Sequence, residues 1–339
     1  MKKVIIILVF LISALTVWSA EGRVIPELVK PTQLQIEGTR LFVIEETTVH
    51  IFDLGTLKKI GQFGKAGQGP QEFQTVPGQL PLILSVQNNQ LVVASVGKIS
   101  RWNLNGDYIS EFTYNPQNGL NPQYLRNNKF IALGVTQGED QKLYRIVILC
   151  NEKMDRIKEI YRAEHAFQGA GKGLKVMEKK VFSYVANEDR IFLPGKEDNQ
   201  IDAYDLDMKL LFTVSVPPDN RTLDQAFKDR LMEEITTNPN IKNQLEFLKP
   251  IIFPDKYPAI SFFGAEGKRL FIFTWNWGKD TLEYYSFDTA NGKELGKHNV
   301  LIKFQGAVSP YPITFKNNKV YQLVENEDEE WELISTPLQ

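Results

Sequence analysis

Histidine and cysteine, the side chains most often used to ligate a metal or attack a substrate, number only three and one in a chain of 339 residues. His50, His165 and His298 fall in separate segments. None belongs to an H-x-x-x-H or H-E-x-x-H pair, the spacing that puts two imidazoles on one helix face. Cys150 ends an apolar run that starts at Ile146, and it has no second cysteine with which to form a disulfide. No G-x-S-x-G nucleophile elbow occurs. The carboxylates Glu45/Glu46 and Glu233/Glu234 are adjacent in sequence, which in a strand or helix sends the two side chains in different directions. No catalytic residue, metal site or cofactor is expected.

Two glycine clusters raise the question of phosphate binding. The first, "FGKAGQGPQEF" at residues 63–73, lacks the Lys-Ser/Thr ending of a P-loop, and its glycines lack the spacing of a dinucleotide fingerprint. The second, "QGAGKG" at 168–173, has no hydroxyl residue after its lysine. Both read as passages between elements, where glycine permits positive φ and Pro70 fixes a turn. Within the first, Gly67, Gly69, Pro70, Glu72 and Phe73 form a structural motif, with Glu72 expected to accept backbone N–H bonds and Phe73 to pack between blades. The acidic "ENEDEEWE" lacks the Asp/Asn/Gly spacing of an EF-hand loop and reads as a solvated hairpin tip.

Binding chemistry is better represented. "TWNWGKD" carries Trp275 and Trp277, spaced to share one side. Exposed indoles stack on sugar rings or anchor protein partners, and buried ones pack. His165, Lys65, Gln68 and Lys279 complete the set of candidate contacts, all in or beside long connections.

The elements that must position these residues repeat. "RLFVIE", "QLVVAS", "KFIALG", "RIFLPG", "RLFIFT" and "KVYQLV" are each preceded by a turn of Asn, Gly, Glu or Asp and by another short apolar run. A third strand follows every hairpin, and a fourth follows the first five. Four antiparallel strands in about 40 to 50 residues is the length of a propeller blade. The predicted fold is all-β, a single six-bladed β-propeller over residues 21–339. The sixth unit reaches Gln339 without an outer strand, and "RVIPELV" at 23–29 is the spare segment that can supply it.

In such blades the connections from strand four to the next strand one share a face with those from strand two to strand three. The long connections fall mostly in these two classes, so one face collects the loops. The longest, 217–258, is predicted to be a helical insertion between blades four and five. Thr222 and Gln225 have capping-box spacing, Leu223, Ala226, Phe227, Leu231 and Ile235 follow helical periodicity, and a second helix is expected over Ile241, Leu245 and Leu248. It reads as an inert buttress first, then as a partner-docking surface, then as a lid.

The stretch from "FGKAGQGPQEF" through Pro77 and "NNQLVVAS" to "KISRWNLNGDYISEF" resembles an NHL-type repeat, differing at Ser95, where that repeat usually carries an aspartate. More broadly, the chain resembles exported bacterial six-bladed β-propeller proteins of NHL-like or TolB-like type, whose blades open with G-x-G-P-x-E-F. That resemblance implies a binding or scaffold protein, with some enzymes among related six-bladed folds.

Residues 1–20 have the order of a secretory signal peptide: Lys2 and Lys3, an apolar run over 4–17, then Ser19 and Ala20. An exported chain, periplasmic or extracellular, with no membrane span after cleavage and acting as a monomer, is the expectation. The formal net charge of −2 lacks the basic footprint of a nucleic-acid binder. The leading functional reading is a noncatalytic exported protein that recognises a protein or glycan partner through its long-loop face. The competing reading is a hydrolase, lyase or sugar-oxidising enzyme with a metal- or quinone-dependent site in the central channel, and three or more convergent acids or histidines there would favour it. A structural module of an envelope assembly would instead show a large apolar patch around the insertion.

Overall fold

The computed structural model describes residues 22–75, 82–87, 89–187, 189–278 and 281–339. The leader at 1–20, Pro77 and Lys279 lie outside them. Among the described residues, no helix is long and apolar enough to cross a membrane.

Six four-stranded antiparallel sheets follow one another along the chain as the blades of a propeller. Blade one runs from Pro31–Glu37 at the channel to Lys59–Phe63 at the rim, and blade two from Ile83–Gln87 to Tyr108–Thr113. Blades three, four and five run likewise from Leu120–Tyr124 to Arg156–Glu164, Val185–Asn187 to Leu210–Ser215 and Phe262–Glu266 to Glu294–Val300. Blade six has three C-terminal strands, Ile313–Lys316, Lys319–Glu325 and Trp331–Pro337. Its fourth is Arg23–Val24, paired antiparallel with the last strand through Arg23↔Leu333 and Val24↔Glu332. The N-terminal segment thus closes the ring as its sequence predicted, with Ile25 and Leu28 buried behind the strand.

Continuous apolar runs in the middle strands, such as residues 41–44 and 91–94, bury successive residues and so give the blades two apolar faces, each of which must be covered by a neighbouring blade. One apolar cluster accordingly fills each interface. Leu34, Ile36 and Phe52 of blade one meet Leu323 and Leu333 of blade six, and Phe130 and Ile146 of blade three meet Val92 and Ile99 of blade two. Phe192 and Ile201 of blade four meet Leu270 and Ile272 of blade five.

The hairpins between first and second strands are mostly two-residue turns, closed by pairs such as Glu37↔Arg40 and Glu266↔Arg269. The turns from third to fourth strand in five blades begin with an Asx residue: Asp53, Asn103, Asn151, Asp205 and Asp288. Each accepts a backbone N–H two to four residues on. A short polar side chain at that position nucleates the turn without help from tertiary contacts.

The insertion forms a helix over Gln225–Thr237 that buries Phe227, Leu231 and Ile235. Its cap corrects the sequence reading. Asp224, and not Thr222, receives the Phe227 N–H at 2.8 Å, while Thr222 forms a β-bridge with Lys256. The predicted second helix is also corrected, to two single turns at Pro239–Lys242 and Leu245–Leu248. The residue before Pro239 is extended, as proline demands of its predecessor.

Candidate binding face and central channel

The glycine-rich connection of blade one is built around a lysine. Lys98, only 7% exposed, donates from Nζ to the carbonyl oxygens of Gly69 at 2.6 Å and Glu72 at 3.2 Å, and it pairs with Glu111 at 3.6 Å. The loop wraps an ammonium belonging to the chain itself. The Glu72 carboxylate accepts the Gly69 N–H at 2.8 Å and pairs with Lys65 at 3.0 Å. These contacts, the Gly69 N–H first and Lys65 second, hold its carboxyl below the usual glutamate range. Phe73 is buried edge-on against Phe63 and Trp102. Gly64 has φ +85° and lies so close to Phe73 that a Cβ there would sit 2.4 Å from the ring. Lys65 and Gln68 are exposed on this loop.

Three other connections are fastened into one body. The Leu174 and Val176 amides of the blade three to four connection donate to Pro250 O at 2.9 Å and Ile252 O at 3.0 Å in the insertion. Glu234 of the long helix accepts the Ala307 N–H of the blade five to six connection at 2.7 Å. Leu223, Phe227, Leu231, Ile235 and Trp275 form the apolar centre of this platform. Arg221 ties its edge, donating to Trp275 O at 2.8 Å and lying 5.0 Å over the Tyr257 ring. Burial, with Asp224 next in effect, pushes the Tyr257 phenol up to about 12.

The two tryptophans of "TWNWGKD" divide between floor and surface. Trp275 is 5% exposed and sits edge-on to Phe227 at 6.2 Å. Trp277 is 39% exposed and leans on Phe304 at 4.4 Å in a T-shaped contact. Between them, Asn276 donates to Glu283, a buried carboxylate also paired with Lys297 at 2.8 Å. His165 is partly buried, and its Nδ1 accepts the Phe167 N–H at 3.0 Å, so the ring shapes its own turn. Among the described residues, no hydrogen bond, ion pair or ring contact joins Lys65, Gln68 or His165 to Trp277.

Sequence reasoning missed Glu283, Arg221, Tyr257 and Phe304. The carboxylate at the head of the aromatic run in "LEYYSFD" was the available signal for Glu283, and the aromatic-rich "FPDKYP" was the signal for Tyr257.

The central channel is a cavity of about 820 Å³ lined by the first strands. Its wall side chains mostly bond to neighbouring blades. The Gln33 amide bonds both ways to the Leu84 backbone, at 2.8 and 2.9 Å. Asn187 donates to Gly267 O at 2.8 Å, Glu266 accepts the Asn317 N–H at 3.4 Å, and Lys316 pairs with Glu37 at 2.9 Å. The innermost strand of a blade is a sheet edge with backbone groups free to pair, and these side chains cap it. The described lining holds two carboxylates, Glu37 and Glu266, and no histidine. The insertion lines no part of it. Burial pushes the Cys150 thiol up to about 11, so it is un-ionised at neutral pH.

No protein family matches the chain, and no curated protein matches its sequence. Among solved structures, it is similar to a Bacteroides fragilis protein named as a candidate exported protein, with 11% identity, coverage of 94% of this chain and 95% of that one, and a TM-score of 0.47. It is also similar to Hsv2 of Kluyvelomyces marxianus, with 9% identity, coverage of 89% and 83%, and a TM-score of 0.35.

Proposed function

We propose that the protein is a noncatalytic exported binding protein of NHL-like type that recognises a protein or glycan partner through its long-loop face. The observation that carries this reading is the fastening of three connections into one platform that leaves Trp277 exposed against Phe304. A rigid platform presenting an aromatic side chain spends little ordering entropy on contact. In this reading Trp277 is the central contact and Trp275 supports it from below. His165, Lys65 and Gln68 contribute at the periphery of the same face, and Lys279, outside the described residues, is kept as a candidate contact from its sequence. Export rests on the leader at residues 1–20. The channel lining, with fewer than three acids or histidines among its described residues, favours binding over the enzyme reading.

The test is the melting temperature of residues 21–339 in the presence of sugars, oligosaccharides, calcium, chelator and quinones, because a ligand of the native state raises it by mass action. A rise with a glycan that Trp277→Ala abolishes is the expected result. A response to calcium or a quinone that survives Trp277→Ala would overturn the reading. If no small molecule acts, the reading requires a protein partner, whose binding deletion of 217–258 must abolish.

A further inference from the structure

We propose that the central channel is a second binding site, for an uncharged saccharide, separate from the long-loop platform. The cavity of about 820 Å³ lies within the about 300–1,000 Å³ common for small-molecule sites. Its two sides differ in chemistry. Counting back two residues from the pairs that close the hairpins, Glu37↔Arg40 and Lys316↔Lys319, brings Gln35 of blade one and Thr314 of blade six to the same level of the wall. The same count from Gln87↔Gln90 adds Ser85 of blade two. These three blades are neighbours in the ring. Asn121 of blade three also lines the cavity. On the opposite side the same level is held by Val185 of blade four and Gly264 of blade five, with Phe262 beside them in the lining.

Among the described residues, the side chains of Gln35, Ser85, Asn121 and Thr314 make no hydrogen bond within the chain, in contrast to Gln33, Asn187 and Glu266 on the same wall. Amides and hydroxyls both donate and accept, which is the pattern that sugar hydroxyls present. The apolar side suits the C–H face of a pyranose. The lining charges cancel, with Glu37 and Glu266 against Lys316 and Arg126, so nothing in the wall selects an ion. A peptide added as a strand would need free backbone edges, and the capping side chains occupy several of them. The site owes nothing to Trp277, so it stands or falls independently of the platform.

Calorimetric titration of residues 21–339 with glucose, galactose, N-acetylglucosamine and their disaccharides tests this. The expected result is saturable binding of at least one uncharged sugar. Gln35→Leu and Thr314→Val should each weaken it about ten-fold, the size of one lost hydrogen bond, and Trp277→Ala should leave it unchanged. Absence of saturable heat with every sugar would overturn the proposal, as would equal affinity in folded Gln35→Leu. Ser85→Ala, which only removes an unbonded hydroxyl, supplies the same comparison if a larger substitution disturbs folding.

Discussion

Trp275 and Trp277 are two residues apart and have different fates, because the strand carrying them, Arg269–Trp277, passes under the insertion before it ends. The sequence marked the pair as candidate contacts, with packing against the insertion as the other reading, but held nothing to say which indole would be covered, since that depends on where Phe227 and Tyr257 return. Substituting Trp275→Ala should cost about 3–5 kcal/mol, the usual range for a buried aromatic, whereas Trp277→Ala should cost less than about 1 kcal/mol. Urea unfolding of the two variants checks this. The blade-opening glycines were legible as a turn, and Glu72 was legible as an acceptor of backbone N–H bonds. Lys98, distant in sequence, was not. Because the folded Glu72 carboxyl lies below its ordinary value of 4.5, its contribution is present above that pH and is lost as pH falls through the lowered folded value. Glu72→Gln should therefore flatten the acid decline of stability below about pH 4.5, and denaturation midpoints across that range would show it.

At the scale of elements, the strands were readable because each blade repeats one local grammar of β-branched and aromatic runs with Asn, Gly or Asp between them. The insertion was readable as helical from Phe227, Leu231 and Ile235, but its start was misplaced. Thr222 and Gln225 have the spacing of a capping box, yet Thr222 is engaged by Lys256 across a bridge and the next acidic residue, Asp224, takes the cap. A local motif lost to a tertiary contact. The Asp224 carboxylate also receives the Tyr257 hydroxyl at 2.9 Å, so one side chain starts the helix and fastens it to the platform. Replacement by alanine should destabilise the protein by about 1 kcal/mol, with a range of roughly 0.5–2. Asp224→Asn, which can still accept the N–H, should recover most of the loss. Thermal unfolding of both variants distinguishes capping from a charge effect.

At the scale of the molecule, what the sequence made visible was a count: six hairpins, five complete blades and one spare N-terminal segment. The apolar interfaces between blades were implied by strands with two apolar faces, but which side chains meet in each interface follows only from the ring. The channel wall was the least legible part, because Gln33, Asn187 and Glu266 look like ordinary polar strand residues until a neighbouring blade is placed beside them. The platform and the channel both depend on the ring being closed and rigid, and closure rests on a short segment. Ile25 N–H donates to Trp331 O at 2.7 Å, Trp331 Nε1 donates to Val29 O at 2.9 Å, Arg23 donates to Gly55 O at 2.9 Å, and Glu27 pairs with Lys59 at 3.2 Å. These contacts fasten the N-terminal segment to both blade six and blade one. The direct measurement is thermal unfolding of residues 31–339 beside residues 21–339. The shortened chain should lose its cooperative transition or melt far below the parent. An unchanged melting temperature would contradict the closure on which both binding surfaces depend.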